Sequence, residues 1–132
     1  MVWTDGQPCD MCSPKEVYLG VVDTIAALMK QKVQVSRPSM AKKFFPHVAF
    51  DGASFAVIWQ ESDSFGGDGA LYFRRFNEKL EPLGSAQDLR PQLSKQFSGD
   101  MSLTVAARNR YAVALTPFLD TTRLIKIDCT GP

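Results

Sequence analysis

Apolar and polar residues alternate along most of this chain in short runs, and the runs are separated by clusters of Gly, Pro, Asn, Asp and Ser. That is the pattern of strands joined by turns. The clearest run is Phe55-Ala56-Val57-Ile58-Trp59-Gln60. It is apolar on both faces, with Phe55, Val57 and Trp59 pointing one way and Ala56 and Ile58 the other. A strand of this kind belongs in the middle of a sheet that lies between two others. Upstream, Pro46 to Phe50 reads as its partner strand, joined through Asp51-Gly52-Ala53-Ser54, because Asp-Gly tolerates the positive φ angles of a tight hairpin. Downstream come a polar loop from Glu61 to Gly69, a third strand from Ala70 to Asn77, and a turn on Asn77-Glu78-Lys79-Leu80. A weaker fourth strand spans Ser85 to Leu89.

The same order returns along the chain. Arg37-Pro38-Ser39-Met40-Ala41-Lys42-Lys43-Phe44 reappears at Arg90-Pro91-Gln92-Leu93-Ser94-Lys95-Gln96-Phe97. The run from Phe55 to Trp59 reappears at Tyr111-Ala112-Val113-Ala114-Leu115, and Val2-Trp3 stands the same distance before Ile58-Trp59. The later copy has strands at Leu103 to Ala107, Tyr111 to Thr116 and Arg123 to Asp128, with a turn at Arg108-Asn109-Arg110. The earlier copy begins in its second strand at Val2-Trp3 and has its third at Val17 to Asp23. Positions Leu19, Phe73 and Leu124 correspond, as do Val22, Phe76 and Ile127. The segment from Asp23 to Gln31 opens on a helix-capping residue followed by good helix formers. The corresponding stretch with Pro82 and Gly84 forbids a long helix, so a hairpin turn with about one helical turn is expected, then a strand from Lys32 to Ser36. Repetition at this spacing predicts units that bury their apolar faces on their neighbours. The chain divides into a partial repeat (1–36), a full repeat (37–89) and a partial repeat (90–132) of one domain.

Four antiparallel strands per unit with a doubly buried second strand is the construction of a propeller blade. Pro46-His47-Val48-Ala49-Phe50-Asp51-Gly52, then Phe55 to Glu61, Ala70 to Asn77 and Leu80-Glu81-Pro82-Leu83-Gly84, resemble the repeats of bacterial β-propeller-type proteins. The resemblance implies an all-β fold of antiparallel blade-like repeats, a partial β-propeller. A β-sandwich is the alternative from the same strands. Leu115 stands where those repeats carry Trp, and Arg108-Asn109-Arg110 where they carry Asp-Gly. About two and a third copies do not close a ring that takes roughly four blades or more. Open sheet edges invite pairing, so self-association or membership of a longer chain is expected.

The 132 residues include fifteen basic and fourteen acidic ones, for a net charge of +1, which gives no electrostatic case for nucleic acid. The pairs Lys42-Lys43 and Arg74-Arg75 read as solvated strand or loop edges. No run of about 18 apolar residues offers a membrane span. Met1 to Pro8 lacks the basic start and apolar core of a secretion signal. The expected location is cytoplasmic for the chain by itself, or exported if it is an excerpt of a longer precursor.

Little in the chain carries recognisable chemistry. Cys9 and Cys12 have Cys-x-x-Cys spacing, but a zinc site needs four ligands and only Cys129 and the lone His47 remain to complete it. The three cysteines read as incidental thiols, with a disulfide among them as the alternative. His47 reads as a structural strand residue. The loop from Glu61 to Gly69 has oxygen ligands but lacks the spacing of a calcium-binding loop. No nucleophile elbow, phosphate loop or paired-histidine motif occurs. No catalytic, cofactor-binding or metal-binding residue is therefore assigned, and no cofactor. The expected function is a non-catalytic, repeat-built β scaffold that binds a carbohydrate or protein ligand through loops or grooves between units. The alternative is a sialidase or glycoside-hydrolase-like propeller fragment, in which the recurring Arg37 and Arg90 would supply guanidinium groups. The Ser-x-Asp-x-Gly-x-Thr-Trp box of such enzymes is missing.

Overall fold

A computed structural model describes residues 1–5, 16–23, 25, 29–63, 69–93, 99–117 and 121–129. Within them the fold is all-β, with three antiparallel sheets. The first sheet contains β1 (Val2–Asp5), β2 (Glu16–Val22) and β3 (Met29–Gln34). The second contains β4 (Lys42–Phe50), β5 (Ser54–Ser62), β6 (Ala70–Asn77) and the two-residue β7 (Gln87–Asp88). The third contains β8 (Gly99–Ala107), β9 (Arg110–Pro117) and β10 (Arg123–Asp128). In each sheet the strands lie side by side in chain order.

Two apolar clusters join the sheets, and β5 contributes to both. Ala56 and Ile58 enter one cluster with Leu71, Phe73 and Leu89 of the second sheet and its connector, against Tyr111, Val113, Leu115, Ile125 and Ile127 of the third. Val57 and Trp59 enter the other with Phe76 and Leu80, against Val17, Leu19 and Val35 of the first sheet and the segment that follows it. The alternating directions read from the sequence are thus the directions of the two neighbouring sheets. Ala56, Val57, Ile58, Trp59 and Gln60 are each at most 1% exposed. Removing a side chain of this size from water is worth about 1.5–3 kcal/mol.

Trp3 lies opposite Tyr18, Trp59 opposite Tyr72, and Leu115 opposite Arg123. The first two are stacked aromatic pairs with ring centroids 5.8 and 5.6 Å apart. On the opposite faces, Val2 lies across from Leu19, Ile58 from Phe73, and Ala114 from Leu124. Trp59 faces the first sheet and Leu115 faces the second, so each looks back toward the sheet that precedes it. Trp3 and Tyr18 belong to neither cluster and are only partly buried.

Local chemistry fixes the turns. Asp51 Oδ1 accepts from the backbone N–H of Ala53 at 3.0 Å and of Ser54 at 2.7 Å, while Gly52 sits at φ 90°. Asn77 Oδ1 does the same for the N–H groups of Lys79 and Glu81, and Leu80 takes φ 58°. Such side-chain bonds to the following backbone are why Asp and Asn start turns. Asn109 takes φ 60° between β8 and β9, filling the role expected of Asp-Gly in a stretch that has neither residue.

Several boundaries differ from the sequence expectations. The strand expected to begin at Pro46 begins at Lys42, because the ladder passes Pro46 through a bulge between Phe44 and His47, with Phe45 at φ 51°. Proline is tolerated there because β4 lies at the sheet edge and the bulge leaves Pro46 unpaired. The strand expected at Lys32 to Ser36 lies instead at Met29–Gln34. The expected helical turn falls mostly on residues outside the described ones; Asp23 does accept from the N–H of Ile25 at 2.9 Å. The two Arg-Pro segments both connect sheets but differ in form. Arg90–Gln92 is a single 3-10 turn fastened by Asp88, whereas Arg37 and Pro38 have no regular structure.

Truncation on either face of β5 is expected to be costly. Ile58→Ala should lower the unfolding free energy by about 2–5 kcal/mol, and Trp59→Ala by about 3–5 kcal/mol. Lys126→Ala, on an exposed position of β10, should change it by less than about 0.5 kcal/mol. Urea unfolding followed by fluorescence or circular dichroism measures all three; near-zero effects at Ile58 and Trp59 would contradict the two-sided packing.

Candidate functional site

A cleft lies where the outer strands of the second and third sheets come together. β7 pairs with β6 only at Tyr72–Asp88 and Phe73–Gln87, and β10 is the edge of its sheet. Before β7 the chain is already tied to β6, by a bridge between Phe76 and Pro82 and by Leu83 N–H to Arg75 O at 2.9 Å. After β10, Cys129 N–H is tied to Asn109 O at 2.8 Å. The opening between these segments is a cleft of about 340 Å³, bordered by Phe73, Arg75, Ser85, Gln87, Asp128 and Cys129.

Arg75 joins this cleft to a polar network beneath it. One guanidinium nitrogen, Nη2, donates to Ser54 Oγ at 3.0 Å and to Asn109 Oδ1. The guanidinium carbon stands 5.8 Å from the centre of the Tyr111 ring. Its Nε is buried and has no hydrogen-bond partner among the described residues. A buried donor left in that condition costs free energy that an acceptor oxygen would recover.

Asp51 is the hub of the network. Besides the two turn N–H groups, its carboxylate accepts from Ser54 Oγ at 3.0 Å, from Asn109 N–H at 3.0 Å and from Tyr111 OH at 2.6 Å. Burial by itself would raise the pKa of this group. The donors, led by Tyr111 and the Asn109 N–H, outweigh burial and hold the carboxyl well below the usual carboxylate range. Tyr111 is displaced upward, first by burial and then by its bond to Asp51. The β4–β5 turn of one sheet is thereby bonded to the β8–β9 turn of the next.

The joint between the first and second sheets has its own polar seal. Lys43 is fully buried, with Nζ 3.2 Å from Glu16 Oε1, 3.2 Å from Ser39 O and 3.0 Å from Ser39 Oγ. Ser36 Oγ donates to the other Glu16 oxygen and accepts from Val17 N–H at 2.9 Å. Trp59 Nε1 donates to Glu61 at 3.0 Å.

The residues singled out in the sequence fall in scattered places. His47 is partly buried opposite Ile58, and burial lowers its pKa, with Asp100 pulling the other way. Cys129 is a free thiol beside the cleft; Cys9 and Cys12 lie outside the described residues. Most of the Glu61 to Gly69 loop also lies outside them. Its final Gly69 is required by close approach, since a Cβ there would stand 2.4 Å from Glu61 O. Among the described residues no cluster of three or more His, Cys, Asp or Glu could hold a metal. Arg37 and Arg90 are exposed in connectors, and Arg90 is bound to its neighbour Asp88.

The two basic pairs are not merely solvated edges. Lys43 is a buried ion-pair partner, and Arg75 is the cationic group of the cleft. The signal for Arg75 was available: two-residue alternation places it on the face of Leu71 and Phe73, where an arginine needs a partner.

The titrations have defined signs. Asp51 has a lower pKa folded than its ordinary 3.8, so its stabilising contribution is complete above that value and is lost as pH falls below it. His47 is also lowered from 6.5, so the unfolded chain takes up a proton more readily, and stability should fall as pH drops through 6.5. His47→Gln should flatten the second slope alone. Asp51→Ala should cost about 1.5–3 kcal/mol near neutral pH, the scale of lost bonds to a charged acceptor. Thermal unfolding across pH 3 to 8 checks both; an unchanged slope near pH 6.5 in His47→Gln would refute the assignment to that residue.

Compared with protein-family models, curated proteins and solved structures, the chain matches none.

Proposed function

We propose that this chain is a non-catalytic scaffold of repeated, blade-like β units that holds a ligand in the groove between its second and third units. The equivalent cross-strand pairs Trp3–Tyr18 and Trp59–Tyr72 support the repeated-unit reading, as does the shared direction in which Trp59 and Leu115 face the preceding sheet. The ligand reading is carried by one observation: the Arg75 guanidinium, held by Ser54 and Asn109, borders a cleft between sheets. With Ser85, Gln87 and Phe73 alongside, the groove offers a cation, neutral hydrogen-bonding groups and one aromatic wall. That set suits a carbohydrate or peptide presenting a carboxylate or several acceptor oxygens.

Glycan and peptide arrays, followed by calorimetry on any hit, test the proposal. Ser85→Trp fills the groove from an exposed position without touching the Asp51 network and should abolish retention. Arg75→Lys should weaken binding about tenfold or more, because it loses the planar guanidinium fork. The retained molecule should be recovered chemically intact. Turnover of the hit, or binding indifferent to both substitutions, would overturn the reading.

A further inference from the structure

We propose that Asp51-Gly52 is a latent isomerisation site kept closed by the joint between the second and third sheets, so that an opening of that joint is recorded as a permanent change of the backbone. The inference is independent of any ligand in the Arg75 cleft and of the blade-like reading of the sheets.

An aspartate followed by glycine is open to attack by the next backbone nitrogen on the side-chain carboxyl, because glycine puts no side chain in the way. Three such pairs occur in the chain: Asp5-Gly6, Asp51-Gly52 and Asp68-Gly69. In the reaction the Gly52 nitrogen bonds to Asp51 Cγ and loses its proton. One oxygen of the protonated carboxyl leaves as water, and a five-membered succinimide ring remains. Water then opens the ring at one of its two carbonyls. Opening at the former backbone carbonyl leaves isoaspartate, in which the chain runs through the old side chain and is one carbon longer. Only water is exchanged, so no oxidant or other reactant is needed. The surroundings of Gly52 leave room for this: the residue is exposed, and nothing lies within 4 Å of where a Cβ would stand.

The joint is what stands against it. Asp51 Oδ1 is held by the N–H groups of Ala53 and Ser54, and Oδ2 by Ser54 Oγ, Asn109 N–H and Tyr111 OH. An oxygen leaves as water only after these bonds are given up. Two of the donors, Asn109 and Tyr111, belong to the third sheet, so their bonds break when the β4–β5 turn parts from the β8–β9 turn. The same donors keep the carboxyl ionised, the form from which water does not leave. A local parting of this kind has its own free energy, which can lie below that of global unfolding. After isomerisation the free carboxylate sits directly on Cα, one carbon short of its former reach. It no longer meets the donors across the joint, and the turn cannot be fastened again.

Peptide mapping of the full chain after incubation in mildly acidic buffer tests the proposal, with isoaspartyl and aspartyl peptides resolved by chromatography and mass spectrometry. In urea Asp51 should convert at a rate close to those of Asp5 and Asp68. In the folded protein Asp51 should convert at least about tenfold more slowly than in urea. Tyr111→Phe, which removes one donor, should speed conversion at Asp51 about tenfold. Leu115→Ala should also speed it, because it opens a cavity between these two sheets and leaves every donor to Asp51 in place. If Leu115→Ala fails to fold, Ile125→Val in the same cluster replaces it. Val17→Ala, in the cluster of the other joint, should leave the rate at Asp51 within about twofold of wild type. In the isomerised protein the Asn109 amide should exchange with deuterium at least about tenfold faster. Fast conversion in the folded wild type, or none in urea, would overturn the proposal. So would indifference to either joint variant, or equal acceleration by Val17→Ala, since the rate would then not be set by this joint. Unchanged exchange at Asn109 would show that the joint closes over isoaspartate and that nothing permanent is recorded.

Discussion

The rest of this structure depends on β5 being buried from both sides. Five consecutive side chains, Ala56 to Gln60, are almost wholly removed from water. In an extended chain successive side chains point in opposite directions, so no single neighbouring layer can cover them. One sheet must lie on each face, and the chain supplies them in order: the first against Val57 and Trp59, the third against Ala56 and Ile58. A strand with one wet face would have tolerated a two-layer fold. The demand for two covering layers explains why the chain is spent on three small meanders instead of one broad sheet.

Apolar contact brings sheets together but does not set their relative position closely, because greasy surfaces slide. The polar groups at the joints add direction. Between the second and third sheets Asp51 reaches across to the N–H of Asn109 and the hydroxyl of Tyr111. Between the first and second, Lys43 is held between Glu16 and Ser39. A buried ion pair adds little net stability, yet losing one partner strands the other charge. Each network is therefore satisfied in one alignment of the two sheets and penalised in others. The same arithmetic bears on chemistry. The Asp51 carboxylate already accepts five donors and has no free acceptor site for a substrate proton. It works as a fastener.

Much of this was legible in the sequence, for reasons that differ by element. The third strand, Ala70–Asn77, and Arg123–Asp128 were readable to the residue because alternation and flanking turn residues agree there. Which residues lie across from Trp3, Trp59 and Leu115 was not read from the sequence, since register follows only once strand order and turns are set. Pro46 misled as a strand start because proline signals a break, while the bulge at Phe45 that accommodates it leaves no sequence mark. The recurrence of Arg-Pro did not secure a common local form, because Asp88 fastens the second copy and nothing equivalent was visible at the first. Lys43 and Arg75 were read as solvent-facing because charge usually is. Their burial depends on Glu16 and Asn109, which come from other sheets and are invisible to any local pattern.

The two joints also differ in how their outer edges are held. At the joint of the first and second sheets, Arg74 closes the edge by donating to Val35 O at 2.9 Å and to Gly84 O at 3.2 Å. Its guanidinium carbon is also 5.3 Å from the centre of the Phe76 ring. Its neighbour Arg75 points to the other joint, where β10 is the last strand of its sheet among the described residues and no further strand fills the wedge beside it. Adjacent arginines on opposite faces of β6 therefore tie the second sheet to both of its neighbours, Arg74 through Val35 O and Arg75 through Asn109 Oδ1. Both also border the cleft. One strand thus fastens two joints because successive side chains leave it in opposite directions.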